Sequence, residues 1–186
     1  TIEKVMPYGS TWAIVPGTAI TEYPELSTSL ITSASFENDL GSWVANSSTL
    51  RRTVARGSMF DEVTSHGVAF CRITSTGTTA FGITSDKITI EPGNGYYTSI
   101  AIKPENEDAF GVYTLTTKFY DSTDTLVLTK TKTLELRRFD RWAYASVYAT
   151  GVETTAASYA KVSVAATPDT TEPGHTFHLD RVVFRE

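Results

Sequence analysis

The densest group of side chains able to ligate a metal is His175-x-x-His178-x-Asp180, close to the end of the chain. On a strand, residues two apart share a face, so His178 and Asp180 would face together while His175 would point away. We therefore interpret this group as a turn followed by a solvated strand, not as a metal site.

Other patterns that could carry catalysis are missing from the sequence. It has no G-x-S-x-G, H-E-x-x-H, G-x-G-x-x-G or Walker phosphate-loop motif. Cys71 alternates with Phe70 and Arg72, which is typical of a small core residue, and no paired histidine marks it as a nucleophile. A glycosidase needs two carboxylates about 5–9.5 Å apart, one of them with a raised pKa. No acid here lies in an apolar context that singles it out, so we expect a protein that is not an enzyme.

Length and charge restrict the function classes further. The chain has 186 residues, enough for one packed domain with an appendage. Its net charge of −5 argues against nucleic acid or an anionic membrane surface as the main partner. No apolar run approaches the roughly 20 residues of a membrane-spanning helix. A single cysteine excludes a disulfide framework within the chain.

The elements that must position any site are predicted to be strands. Tyr96, Thr98, Ile100 and Ile102 share one face of an alternating segment, and threonine, which suits a pleated half-buried surface, is abundant. Turn-forming residues separate many such short runs, which favours an antiparallel sandwich or barrel. The longer predicted strands are 96–103, 112–120, 141–148, 159–164 and 176–184, the last with His178, Asp180, Val182 and Phe184 on one side. The shorter ones are 35–37, 50–55, 68–74, 80–84, 87–90, 125–130 and 132–136.

The first 33 residues have a different character. Pro7, Pro16 and Pro24 remove backbone donors and favour extended conformations, so we predict an extended N-terminal arm followed by a β-sandwich over 34–186. The arm's large side chains are expected to dock on a partner protein. An interdomain linker or an additional edge strand explains the same segment equally well. The predicted docking residues are Tyr8, Trp12, Ile14, Val15 and Tyr23.

Several motifs, taken in order, resemble the carbohydrate-binding modules that have the galactose-binding-like jelly-roll fold. Residues 35–43 read Ser-Phe-Glu-Asn-Asp-Leu-Gly-Ser-Trp, similar to the opening of those modules. Residues 95–100 and 116–121 are similar to their central strands, and Arg141-Trp142 to the start of a late strand. Residues 178–182 resemble the last strand, with Arg181 in place of a second acid. The resemblance implies an all-β, two-sheet antiparallel jelly roll, a fold also found in phage tail and capsid-decoration proteins.

The resemblance also implies candidate sites. In the family, the glutamate of the first strand and the aspartate of the last often share one structural calcium ion, which corresponds here to Glu37 and Asp180. An ion pair with Arg181 is the alternative. Trp43 and Trp142 match packing positions. Stacking platforms for sugars are expected among exposed tyrosines, although cross-strand packing is the commoner role of such residues. The tyrosine candidates are Tyr97, Tyr113, Tyr144 and Tyr148.

Three functions are consistent with these features. The first is a non-catalytic virion structural protein, a phage tail or capsid-decoration component, which the arm anchors to other virion proteins in an oligomer while the sandwich is exposed to cell-surface glycans. The second is a carbohydrate-binding module of a secreted polysaccharide-degrading enzyme, with the arm as linker. An enzyme is the third and has the least support.

Overall fold

The computed structural model describes residues 29–54, 67–170 and 172–186, and almost all of its regular structure is β-strand. One short 3-10 helix, Glu107–Ala109, interrupts the strands. Within the described ranges, no helix has the length and apolar character needed to cross a membrane. The strands are β1 Val44–Asn46, β2 Ser48–Val54, β3 Ala69–Ser75, β4 Phe81–Thr84, β5 Ile88–Thr89, β6 Tyr96–Pro104, β7 Gly111–Tyr120, β8 Leu126–Leu136, β9 Ala143–Ala149, β10 Tyr159–Pro168 and β11 Thr176–Arg185.

Two antiparallel sheets pack face to face. The first sheet has the strand order β1-β4-β10-β7-β8, with β5 paired to β10. The second sheet has the order β2-β3-β11-β6-β9. Neighbouring strands are mostly far apart in sequence, as in sandwiches built from long-range pairings. The predicted all-β, two-sheet sandwich is therefore confirmed.

Alternation along the central strands fills the core. In β7, Tyr113, Leu115, Thr117 and Phe119 are buried, while the residues between them are more exposed. Aromatic rings from both sheets meet in the interior, where the Tyr96 ring of β6 lies 6.3 Å from the Phe119 ring of β7 and stacks on the Phe184 ring of β11 at 5.3 Å. Cys71 is fully buried, as predicted for a core residue, and burial raises the pKa of its thiol to about 12. Such a thiol is protonated at neutral pH and is not a nucleophile.

The segment before β1 is tied to the last strand. Leu30 N donates to the Phe184 carbonyl at 2.7 Å, and Val182 N donates to the Ala34 carbonyl at 2.7 Å. Residues 35–37 were predicted to form a strand, but they do not, because Phe36 adopts a left-handed conformation with φ of 58°. The Phe36 ring is nevertheless fully buried. The beginning and end of the sandwich are thus held together by a loop rather than by a first strand.

Two further strand predictions need correction. Segments 125–130 and 132–136 form one continuous strand, β8. In β11, His178, Asp180, Val182 and Phe184 were predicted to share one face. This prediction is wrong, because a bulge between Asp180 and Val183 shifts the register. Val182 and Phe184 consequently point into the core with Leu179, while His178 and Asp180 lie on the other face.

That other face is not solvated at this point. His178 and Asp180 are 4% and 0% exposed, and His175, just before β11, is 4% exposed, so the expected solvated strand is also wrong. Here the sheet is buried on both faces. Alternation shows which residues share a face but not whether the second face is covered, so the sequence could not predict this burial.

Candidate functional site

The outer face of the second sheet carries three of the four tyrosines that were predicted as stacking platforms. Strands β6 and β9 pair so that Tyr97 lies opposite Tyr148, Ser99 opposite Ser146, and Ala101 opposite Tyr144. Because side chains alternate across a strand, burial of Thr98 and Ile100 in the core places Tyr97 and Ser99 outside. The same rule places Tyr144 and Tyr148 on this face, where they are 61% and 56% exposed.

Tyr97 and Tyr144, with the serines between them, line a shallow groove, and Tyr148 lies on the same face outside the groove lining. The groove volume is about 220 Å³, and its rim combines aromatic faces with hydroxyl groups. Flat aromatic surfaces suit the CH faces of a pyranose, while the serine hydroxyls can donate to and accept from sugar hydroxyls. The groove is lined by Tyr97, Ser99, Ile100, Tyr144, Ala145, Ser146 and Arg181.

Tyr113, the fourth predicted platform, lies elsewhere. Its side chain is 2% exposed, and its hydroxyl donates to the Ala109 carbonyl inside the sandwich. Burial raises the pKa of its hydroxyl well above the usual range. The ring packs edge-on against Phe177, with centroids 5.4 Å apart. Tyr113 is therefore a core residue, and we exclude it from the candidate surface.

Beyond the groove, the same face of the sheet carries a compact group of polar and aromatic side chains. The Arg72 guanidinium contacts the Glu105 carboxylate at 2.7 Å, and His178 Nε2 lies 3.8 Å from the same carboxylate. The neighbouring His178 and Arg72 hold the pKa of Glu105 at about 2, despite partial burial that acts in the opposite direction. The His178 ring also packs on Phe70, with centroids 4.4 Å apart. The Glu105 carboxylate is therefore ionised at neutral pH, and its contact with Arg72 suits a supporting role beside the groove.

The Phe70 ring is covered in turn by Trp142. Their centroids are 6.3 Å apart with a near-perpendicular arrangement, and Lys103 Nζ lies 5.6 Å from the Trp142 ring. The predicted packing roles of Trp142 and Trp43 agree with this contact and with the 8% exposure of Trp43.

Glu37 and Asp180, the predicted calcium ligands, are both buried, at 1% and 0% exposure. The Glu37 carboxylate accepts hydrogen bonds from the N–H of Val68, at 3.1 Å to each oxygen, just before β3. Strand β11 pairs with β3 through Leu179 and Cys71, so Asp180 also lies near the beginning of β3. Asp180 Oδ1 accepts from Arg181 N at 2.6 Å.

The oxygen donors of these two side chains have the chemistry that a hard cation requires. No group of three or more His, Cys, Asp or Glu side chains in the described residues could hold a metal ion. A calcium ion there would draw its remaining ligands from other oxygens, such as main-chain carbonyls. Two of these carbonyls, of Phe36 and Glu37, already accept hydrogen bonds from the Arg52 guanidinium.

The predicted docking residues of the arm, Tyr8, Trp12, Ile14, Val15 and Tyr23, lie outside the described residues, and their role stays a prediction. The boundary at residue 33 also stays a prediction. Of the predicted arm, residues 29–33 are described, and this part hydrogen-bonds to β11 through Ser29 and Leu30.

Neither a family model nor a curated protein matches the sequence. Solved structures do match. A domain of tailspike protein 4 from bacteriophage CBA120, described as enzymatically active, superposes with a TM-score of 0.60 at 13% identity, covering 85% of this chain and 21% of that one. TmCBM61, solved in complex with beta-1,4-galactotriose, gives 0.58 at 15% identity, covering 86% of this chain and 100% of the module.

The C-terminal family 22 carbohydrate-binding module of Clostridium thermocellum Xyn10B is similar as well, with a TM-score of 0.56 at 17% identity, covering 81% of this chain and 90% of the module. The fold is that of jelly-roll carbohydrate-binding modules. The resemblance inferred from the sequence is therefore confirmed for the fold. The chain matches such modules over nearly their whole length, but it spans only about a fifth of the tailspike domain.

Proposed function

We propose that this chain is a non-catalytic glycan-binding domain and that the groove on the outer face of β6 and β9 is its binding surface. The observation that carries the proposal is the placement of Tyr97, Tyr144 and Tyr148 on one outer face, two of them more than half exposed. Large exposed aromatic side chains grouped on one surface are typical of binding sites. Fold neighbours solved with a galactotriose or described as xylan-binding support the same class of ligand.

A binding assay with the full chain tests the proposal. Affinity electrophoresis through gels containing β-1,4-galactan, xylan or other plant and bacterial polysaccharides should show retardation by at least one polymer. Tyr144→Ala should weaken that retardation about tenfold or more, because it removes an exposed stacking face. The matched control is Tyr159→Ala on the first sheet, where the ring stacks on Tyr120 with centroids 4.9 Å apart. Equal losses in both variants, or no retardation by any polymer, would contradict the proposal.

We further propose that the domain belongs to a virion, where its N-terminal arm anchors it to other virion proteins and where the chain is oligomeric. The similarity to a bacteriophage tailspike domain supports this setting. The alternative is a module of a secreted polysaccharide-degrading enzyme, supported by the similar modules of the xylanase Xyn10B. Light scattering on the full chain separates the two settings. A stable oligomer that Trp12→Ser disrupts favours the virion anchor, whereas a monomer in both forms favours the enzyme module.

A structural calcium ion held by Glu37 and Asp180 remains part of the proposal. Its support is the burial of two carboxylates near the beginning of one strand. The ion would join the opening segment to the last strand, which the Val182 to Ala34 hydrogen bond already links.

A further inference from the structure

Two arginines of β11 border the tyrosine groove. Arg181 lines the groove directly, and the Arg185 guanidinium lies 5.6 Å from the centroid of the Tyr97 ring. Both residues are exposed. Within the part of the chain that the structure describes, neither guanidinium takes part in an ion pair. The groove thus combines aromatic faces with one guanidinium in its lining and a second over the Tyr97 ring, in a chain whose net charge is −5.

The position of Arg181 depends on the bulge in β11. His178 and Asp180 point outward and Leu179 points inward, so an unbroken strand would direct residue 181 into the core. The bulge between Asp180 and Val183 gives the inward position to Val182 instead. Arg181 adopts a left-handed conformation with φ of 49°, which is unfavourable for a residue other than glycine. Bulges commonly redirect one side chain toward a site, and here that side chain is a guanidinium at the groove.

We infer that the ligand of this groove is an anionic glycan, one whose sugars carry carboxylate, sulfate or phosphate groups. The inference rests on the proposed glycan-binding function and adds the chemical class of the ligand. A guanidinium presents parallel N–H donors that match the oxygens of such groups, and these charge-assisted hydrogen bonds are stronger than neutral ones. Neutral glycans offer the two guanidiniums only uncharged hydroxyl acceptors, which make weaker hydrogen bonds than carboxylate, sulfate or phosphate oxygens.

The test compares polymers that differ in charge but share a backbone. Polygalacturonate and its fully methyl-esterified form make the carboxylate pair, and dextran sulfate and dextran make the sulfate pair. Binding of the full chain is measured by calorimetry at low and moderate NaCl. We expect at least one charged member to bind about tenfold more tightly than its neutral partner, with an advantage that shrinks as salt rises.

Two variants test whether the arginines cause the tighter binding of the charged polymer. Arg181→Gln and Arg185→Gln should each weaken binding of the charged polymer about tenfold and so reduce its advantage over the neutral partner. Lys118→Gln, an exposed charge on the opposite sheet, is the matched control and should change neither. Arg185 lies in regular strand, so its variant keeps the test valid even if Arg181→Gln folds poorly.

The outcomes separate this inference from the proposed function. Binding of neutral polymers with no preference for charged ones, or equal losses in Lys118→Gln, would overturn the anionic ligand and leave glycan binding standing. Failure of every neutral and charged polymer to bind would overturn both. Preference for only one of the two charged polymers identifies whether carboxylate or sulfate is recognised.

Discussion

One hydrogen bond in the core offers a direct test of which β6 side chains point into the core and which point toward the groove. Thr117 Oγ1 in β7 donates to Thr98 Oγ1 in β6 at 2.9 Å, and the two residues are 0% and 1% exposed. The bond joins the two sheets across the sandwich. If Thr98 faces inward, its neighbour Tyr97 must face outward, because successive side chains alternate.

Replacing either threonine by valine keeps the shape but leaves the other hydroxyl without this partner. Such a buried unsatisfied hydroxyl costs about 1 to 2 kcal/mol, so Thr98→Val and Thr117→Val should each lower the free energy of unfolding by that amount. The double variant removes both hydroxyls and should lie within about 1 kcal/mol of the wild type. The two single losses would then exceed the loss of the double variant by about 1 to 4 kcal/mol, and a coupling energy of that size would identify a direct contact.

Urea denaturation followed by fluorescence measures these free energies, with unchanged m-values as the criterion for comparing variants. Thr131→Val, an exposed substitution of the same kind on β8, should change the free energy by less than about 0.5 kcal/mol. The reasoning is refuted if both single variants behave like Thr131→Val, or if the double variant costs the full sum of the singles. In either case Thr98 does not meet Thr117, and the placement of Tyr97 in the groove fails with it.

Two further predictions concern the Glu37 carboxylate. Gly67 has φ of +63°, and a Cβ atom added to it would lie 2.0 Å from Glu37 Oε1. Gly174 has φ of +89°, and a Cβ atom added there would have no atom of the described residues within 4 Å. Both Gly→Ala variants carry the cost of a left-handed conformation, about 1 kcal/mol. The free energy of unfolding of Gly67→Ala should fall by about 1 to 3 kcal/mol more, because the added methyl group displaces the carboxylate from its N–H donor. Equal urea midpoints for the two variants would contradict this. For calcium, EDTA should lower the melting temperature of the wild type and added Ca²⁺ should restore it, with neither effect in Asp180→Asn. An unresponsive wild type would remove Glu37 and Asp180 from the proposed site.

Alternation along the chain was sufficient to predict the long strands and the class of fold. Strand β6 was predicted within one residue of its observed range, Tyr96–Pro104, because its apolar residues repeat every second position. The family resemblance made Tyr97, Tyr144 and Tyr148 candidates together with Tyr113, and alternation could not distinguish the three from the fourth. In β7, Tyr113 occupies an inward position of an equally regular strand, and only the packing of the second sheet shows which face is inside.

Local conformations that break the alternation could not be predicted. Phe36 and Arg181 have positive φ values of 58° and 49°, although neither is a residue type that favours that region. Each is held by tertiary contacts: Phe36 is buried in the core, and Arg181 follows the bulge that keeps Val182 inside. The Arg181 departure from the family pattern was visible in the sequence. Its position at the groove required the register of β11 against β6.

The way the core is filled also explains why the proposed ligand would bind outside the sandwich. The Tyr96 ring lies 5.3 Å from Phe184 and 6.3 Å from Phe119, so aromatic side chains of both sheets occupy the space between them. A sugar between the sheets would have to displace this packing, which costs several kcal/mol for each large side chain. The outer face of β6 and β9 requires no such rearrangement, because Tyr144 and Tyr148 already stand in solvent at one edge of the second sheet. Binding there would leave the core intact, and Tyr144→Ala should therefore remove affinity without unfolding the domain.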